Sequence, residues 1–381
     1  MFLVSTPLVA LVTVGSLMGA PPAAAQANNP HLRVFEDVIR LVLNAYVEDV
    51  DVDKVMDGAM HGLTDGLDTS SAFLQPDEVK AIESKAAMPD GDIGLVVTRQ
   101  FYLRVLGVRE GSPAARAGLQ VTDYVRMIDG RPTRDMSGVT GMRLLRGQPG
   151  SKVSIVIIRS GNTSDPHTIE LVREKLQGDV VRSSTVDGIA RVRVSSFGPD
   201  TTAALQSAFE KIAASKTPGA VIDLRGTADG TPEDGIKAAR LFVKSGTIGV
   251  RAARSGDPVK TTAAAGDGAV TLPVVLLVSN GTSNAAEAFA AALSGNGRAD
   301  LVGEPTAGVA ARQKLVPLPD GYGLWLTYER YMTVGATPQP IHERGLTPKV
   351  LIQNPVPGFD ELPPTTDAPM NKAIEHLKTK R

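Results

Sequence analysis

Two short runs, AVIDL (220–224) and VVLLV (274–278), are apolar at nearly every position. A strand with one wet face alternates apolar and polar residues. A continuous run suits a strand covered on both faces, as in parallel sheets flanked by helices. The surrounding order agrees. IARVRVSSF (189–197) precedes a helical stretch near Thr201–Ala214, and AVIDL precedes one near Pro232–Lys244. VVLLVS leads into NGTSNAAEAFAAAL (280–293), an opening helix, and then LVGEP (301–305). Strand and helix in alternation predict a layered α/β core.

The chain has 381 residues, room for two or three domains. Aromatics are 4% of the chain, so its core is aliphatic. Lys plus Arg (40) nearly balances Asp plus Glu (41), which leaves no nucleic-acid footprint. There is no Cys, which excludes disulfides, thiolate catalysis and Cys-ligated metal. His31, His61, His167 and His376 are scattered without metal-ligand spacing and are expected at the surface. No Gly-rich phosphate loop is present. Neither a metal nor a cofactor is expected.

Leu8–Ala20 is apolar but short for a bilayer span, and small residues follow at A-x-A spacing (Ala23–Ala25, Ala25–Ala27). Residues 1–25 therefore read as a signal peptide, although no Lys or Arg precedes the apolar run. The expectation is export, to a periplasm or beyond the cell, with a membrane tether if the signal stays uncleaved.

Residues 29–88 carry helical periodicity, with Phe35, Val38, Ile39, Val42 and Tyr46 recurring on one face. Residues 89–176 change to short β segments punctuated by Gly and Pro, with one helix near Ser137–Arg146. Residues 177–355 hold the α/β core. Residues 356–381 form a Pro-rich connector and a closing helix near Met370–Lys378.

Within the β-rich part, GLVV (94–97) and REGSPAARAGLQVTDYVRMIDGRP (109–132) resemble a bacterial-type PDZ domain. The resemblance implies that backbone N–H groups of Gly94, Leu95, Val96 and Val97 capture a peptide's terminal carboxylate, the peptide adding as a strand. Val139 and Met142 on the following helix are candidates for its side-chain pocket, or else plain core.

YVEDVDVDKVMDGAMHGLTDGLDTSSAFLQPDE (46–78), AVIDLRG, the 280–293 stretch, GRADLVGEPTAGVAARQKLVPLPDG (297–321) and ERGLTPKV (343–350) resemble, in order and spacing, the C-terminal processing peptidases, or tail-specific proteases. The resemblance implies an α/β peptidase core of that type, an inserted PDZ domain and an N-terminal helical segment. It also implies polypeptide substrates with free C-termini. These peptidases pair a Ser nucleophile with a Lys base, whose pKa desolvation lowers, and a Gln assists. With Glu287 as anchor, the nucleophile position holds Asn284. The Lys position holds Val309, and the assisting Gln is Gln313. The oxyanion region maps to Asp229, Gly230 and Asn284, with Asp229 where the family has Gly. An amide is no nucleophile and an isopropyl group no base. A carboxylate at 229 opposes an oxyanion.

Two readings follow. In one, the scaffold binds C-terminal or unfolded segments and its peptidase activity is weak or lost. In the other, Ser283 is a displaced nucleophile, one position and ~100° around a helix from Asn284. Its base is then unidentified. Arg312 does not deprotonate. Lys314 should point outward beside an inward Gln313. His342 suits the chemistry, but nothing in the sequence places it near. On the first reading, Asn284 is an N-cap and Glu287 its N3 partner. A partner copy, or an active homologue, completes the set of expected partners.

Overall fold

A computed structural model describes residues 29–84, 88–159, 162–359, 361 and 364–379. The expected signal peptide, residues 1–25, lies outside them. The chain divides into two compact units, Met1–Ala59 and Met60–Arg381.

The first unit holds helix α1 (Pro30–Ala45) and the start of α2 (Val52–Asp65). Asn29 caps α1 by accepting from the His31 N–H at 3.0 Å, and Pro30 occupies the first turn, where its missing N–H costs nothing.

The second unit begins within α2. Strand β1 (Ala72–Leu74) and helix α3 (Pro76–Glu83) follow. Then comes the β-rich module: β2 (Gly91–Asp92), β3 (Leu95–Gln100), β4 (Tyr102–Val108), α4 (Pro113–Arg116), β5 (Tyr124–Ile128), β6 (Arg131–Pro132), α5 (Gly138–Leu145), β7 (Lys152–Arg159), β8 (Asn162–Val172) and β9 (Glu174–Lys175). Its sheet runs β3-β4-β5-β7-β8, with β6 on β5, and β2 pairs β9. The inward residues Leu95, Val97, Leu103, Val105, Val125, Ile128, Val153, Ile155 and Ile157 alternate along these strands and pack with Ala114, Leu119 and Leu145 into one core. A buried ion pair closes it: Arg159 Nε lies 2.8 Å from Asp123 Oδ1, both nearly inaccessible.

The α/β core contains β10 (Val181–Val186), β11 (Ile189–Val194), α6 (Thr201–Ala214), β12 (Ala220–Asp223), α7 (Pro232–Ala239), β13 (Thr247–Ala253), β14 (Val259–Thr262), β15 (Val274–Val278), α8 (Ala285–Gly295) and β16 (Ala299–Gly303). After it come β17 (Ala311–Pro317), β18 (Gly323–Met332), β19 (Val350–Leu351) and α9 (Ala368–Thr379). One sheet has the order β10-β11-β12-β15-β16-β19. From β11 to β19 it is parallel. Its two faces explain the apolar runs. Ile222, Leu276 and Val278 face a core shared with α6, α7 and α8. Val221, Val275, Leu277 and Val302 face Met370, Ala373, Ile374 and Leu377 of α9.

Several expectations are corrected. The helix from Pro232 stops at Ala239, not near Lys244. Leu241 and Phe242 donate to carbonyls three residues back, a tighter turn that delivers buried Phe242 and Val243 to the core. A second sheet, β1-β18-β13-β14 with β17 on β18, had no counterpart in the sequence reading. His61 is buried at 8% exposure, edge-on to Phe73. His376 is half-buried and bonds Asp300 Oδ2 at 2.8 Å, so neither is a free surface imidazole.

Candidate functional site

Strand β15 is buried at every residue, and α8 buries Ala285 through Leu293. The loop between them is therefore fixed at both ends. Thr282 pins it: its hydroxyl donates to Leu224 O (2.8 Å) and accepts from Ser279 N–H (3.0 Å). Ser279 Oγ accepts from the Gly226 and Gly281 N–H groups. Ser283 N–H donates to Thr227 O. Gly281 has no alternative residue, since a Cβ there would meet Leu106 O at 2.4 Å.

The turn ends on Asn284, at φ 50° and ψ −107°. That conformation is uncommon for a residue with a Cβ and costs of order 1–3 kcal/mol. The strain presents residue 284 at a sharp strand-to-helix corner. Asn284 is the N-cap with Glu287 at N3, as expected, but its own side chain accepts no cap hydrogen bond. Instead Asn284 Nδ2 donates to Gly230 O at 2.7 Å, while Oδ1 is shielded from solvent and has no hydrogen-bond partner. Helix α8 is entered through Glu287, whose carboxylate accepts from the Asn284 N–H at 3.0 Å.

Glu287 does more than serve as a sequence anchor. It is fully buried and accepts from Thr306 Oγ1 (2.5 Å), Gly308 N–H (2.7 Å) and Val309 N–H (3.0 Å) as well. Burial pushes its carboxyl above the ordinary value, although these four donors favour the charged form. Thus one carboxylate fixes the backbone of both residue 284 and residue 309. The capping spacing N-x-x-E pointed to the first bond only. The second needed the fold.

The other expected residues fall as follows. Ser283 is 1% exposed and its Oγ has no hydrogen-bond partner, so no base stands beside it. His342 lies elsewhere in bonding terms, its Nε2 3.3 Å from Asp68 Oδ2. Burial alone raises the Asp68 pKa, but His342 and the Ser70 and Ser71 N–H groups outweigh it and hold the carboxyl at about 2. Arg312 pairs with Glu329 at 2.7 Å, and exposed Lys314 lies over the Tyr328 ring. Gln313 reaches across to Thr327 Oγ1 at 3.4 Å. Val309 contributes an apolar side chain. Asp229 is exposed and its Oδ1 accepts from the Gly230 N–H at 3.0 Å, taking up a donor of the expected oxyanion region.

In the β-rich module, Gly94 takes φ 83° at the entry to β3, and a Cβ would collide with Ser112. Leu95 and Val97 turn into the core; Val96 is half-buried. Met142 meets β3 directly: its Sδ accepts from the Val97 N–H at 3.3 Å, on the edge a peptide strand needs. Val139 is half-buried on the same helix. A cavity of about 60 Å³ joins Gly94, Leu95, Val96 and Met142 to Gly226, Ala228 and Asp229. Asp229, expected in the oxyanion region, thus lines the same space as Gly94, Leu95 and Val96, expected to hold a carboxylate. Arg109 and Arg146 line it too. Sequence reasoning passed over both, because lone Arg residues among many carry no signal.

Comparison with known proteins places this geometry. The Peptidase family S41 profile matches residues 188–352, and a PDZ domain profile matches residues 104–159. The carboxyl-terminal-processing protease of Synechocystis sp. is 32% identical over 315 residues, covering 80% of this chain and 72% of that protein. The carboxy-terminal-processing protease of Bartonella bacilliformis is 28% identical over 336 residues, covering 86% and 77%. The solved photosystem II D1 C-terminal processing protease superposes with a TM-score of 0.69 at 26% identity, covering 86% of this chain and 95% of the other. With its S41 core, its PDZ module and these relatives, the chain belongs to the carboxyl-terminal-processing protease family.

Proposed function

We propose that this protein is exported, binds C-terminal or unfolded polypeptide segments through its PDZ groove and the adjoining cleft, and has weak or no peptidase activity. One observation carries the reading. At the strained corner where the family mapping puts the nucleophile, Asn284 donates its amide to Gly230 O, and the neighbouring Ser283 hydroxyl has no base. Acyl transfer needs an oxygen nucleophile with a proton acceptor in hydrogen-bond reach. Neither Asn284 nor Val309 supplies one.

Binding keeps its supports. Gly94, Leu95 and Val96 line a cavity with Arg109 and Arg146, two cations that could meet a terminal carboxylate, and with Asp92 and Asp229. No helix among the described residues is long and apolar enough to cross a membrane. Export rests on the Leu8–Ala27 sequence pattern alone.

Fluorescence anisotropy with a labelled unfolded polypeptide tests the binding. The free-acid form should bind and the C-terminally amidated form should bind more weakly. Equal failure of both ends the proposal.

A further inference from the structure

Asn284, at φ 50° and ψ −107°, stands directly before Ala285, the first residue of α8. Viewed down the Cα–C bond of an L-residue, Cβ lies about 120° from the residue's own nitrogen, on the negative-ψ side. At this ψ the backbone nitrogen of Ala285 therefore nearly eclipses the Asn284 Cβ, within about 15°. That is the arrangement of a five-membered ring made of Cα, Cβ, Cγ, the Ala285 nitrogen and the Asn284 carbonyl carbon. Helical and strand backbones, with ψ of about −42° and +135°, hold the next nitrogen well away from Cβ.

The two reacting groups are lightly held. The Ala285 N–H belongs to the first turn of α8, where no intrahelical acceptor exists. The helix dipole there favours the negative charge that forms when this nitrogen gives up its proton. The Asn284 side chain is bonded through Nδ2 to Gly230 O at 2.7 Å, and its Oδ1 has no partner. A turn about Cα–Cβ that brings Cγ onto the nitrogen breaks that one bond. The residue is half-buried, which leaves water an approach. The strained backbone thus holds a near-attack geometry before any reaction begins.

We propose that Asn284 is a self-modification site that deamidates through a succinimide ring. The Ala285 nitrogen loses its proton to solvent base and bonds to Cγ. The Cγ–Nδ2 bond breaks, and the side-chain nitrogen leaves as ammonia. Water then opens the ring. Attack at Cγ returns the original chain with Asp at this position. Attack at the Asn284 carbonyl carbon gives isoaspartate, with the chain running through Cγ. The net change is one water taken up and one ammonia released, with no oxidant or cofactor. The product has a carboxylate in place of the amide that ties this corner to Gly230 O. The inference stands apart from polypeptide binding, which is read by anisotropy.

The chain carries its own control. Asn44 is also followed by Ala, and its Nδ2 also donates to a carbonyl, Arg40 O at 2.8 Å, but it lies within helix α1 and is exposed. The test incubates the unaltered full chain in warm, mildly alkaline buffer and maps its peptides by mass spectrometry over time. Fragmentation separates Asn284 from Asn280 and Asn296, and chromatography separates Asp from isoaspartate. In the native chain Asn284 should gain about one mass unit at least about tenfold faster than Asn44, as expected of a pre-aligned reaction. The product should contain isoaspartate, the mark of the ring. In concentrated urea, where both backbones are free, that lead should vanish. The proposal is overturned if Asn284 reacts no faster than Asn44 in the native chain, if Asp forms without isoaspartate, or if the lead persists in urea. No variant is needed, so no folding failure can obscure the result.

Discussion

Asn284 and Gly230 are joined by a 2.7 Å hydrogen bond from the side-chain amide of one to the backbone carbonyl of the other. The bond ties the corner before α8 to the loop after β12. It fixes the amide orientation, because an oxygen facing that carbonyl would be repelled. A hydroxyl at 284 is one atom shorter and leaves the carbonyl unmet. Replacement at this corner therefore has a stability signature apart from any chemistry. Asn284→Gly removes the bond, worth about 1 kcal/mol, and also relieves positive-φ strain of order 1–3 kcal/mol. Urea denaturation should show it neutral to stabilising. Asn284→Val keeps the strain, adds a branch and loses the bond, and should cost at least about 2 kcal/mol.

Glu287 predicts a pH dependence. Its pKa in the folded state is raised above the ordinary 4.5. A carboxyl raised on folding contributes stability that is present below the unfolded pKa and lost as pH rises through the folded one. The stability of the unaltered protein minus that of Glu287→Gln should therefore fall as pH rises from about 4.5. Chemical denaturation at several pH values measures it. A difference that grows with pH contradicts the account.

Asp223 behaves in the opposite sense. It is 1% exposed. Burial pushes its pKa up, but Arg225, Arg193 and Arg191 outweigh that and hold it at about 2. Its stabilising contribution should be complete above 3.8 and lost as pH falls from there through about 2. Asp223→Asn leaves clustered guanidinium groups short of a partner and should cost about 3–5 kcal/mol, the usual penalty for breaking a buried pair. Thermal melts at neutral pH and at pH 3 check both statements.

Gly235 sets how close α7 comes to α8. A Cβ there would meet Ala285 O at 2.0 Å, backbone that has little freedom to move. Gly235→Ala should destabilise by about 1–3 kcal/mol, the range for overpacking. It should also disturb the 284 corner, seen as faster amide exchange at Ala285–Ala288.

Arg146 should matter to peptide binding. It lines the cavity shared with Gly94–Val96 and pairs with Asp92 at 3.2 Å. A hydrogen bond to a charged group is worth about 1.5–3 kcal/mol. Arg146→Ala should weaken a free-acid peptide roughly tenfold or more, and leave the amidated peptide unchanged.

The layered core was legible because Val221 and Ile222, or Leu276 and Leu277, face opposite covered sides of one sheet. That geometry writes itself as an unbroken apolar run. The antiparallel sheet was not legible. Most of Gly323–Met332 is half-buried on both faces, so GLWLTYERYM shows neither alternation nor a continuous run. Ala72–Leu74 is three residues long and owes its extended form to pairing with Leu324 and its neighbours, far away in sequence. At the corner before α8, the helix start was legible and its bonds were not. The Asn284-to-Glu287 spacing signalled the bond from the Asn284 N–H to Glu287, but not that the Asn284 side chain donates to Gly230. Nothing local could signal that Glu287 also holds the N–H groups of Gly308 and Val309.

The central claim is that no competent nucleophile and base meet at this corner. Hydrolysis of fluorescent unfolded casein by the purified protein, its Ser283→Ala variant and the Asn284→Ser/Val309→Lys double variant tests it most directly. The account predicts no Ser283-dependent hydrolysis by the unaltered chain and a gain of activity in the double variant. Hydrolysis by the unaltered chain that disappears in Ser283→Ala contradicts it.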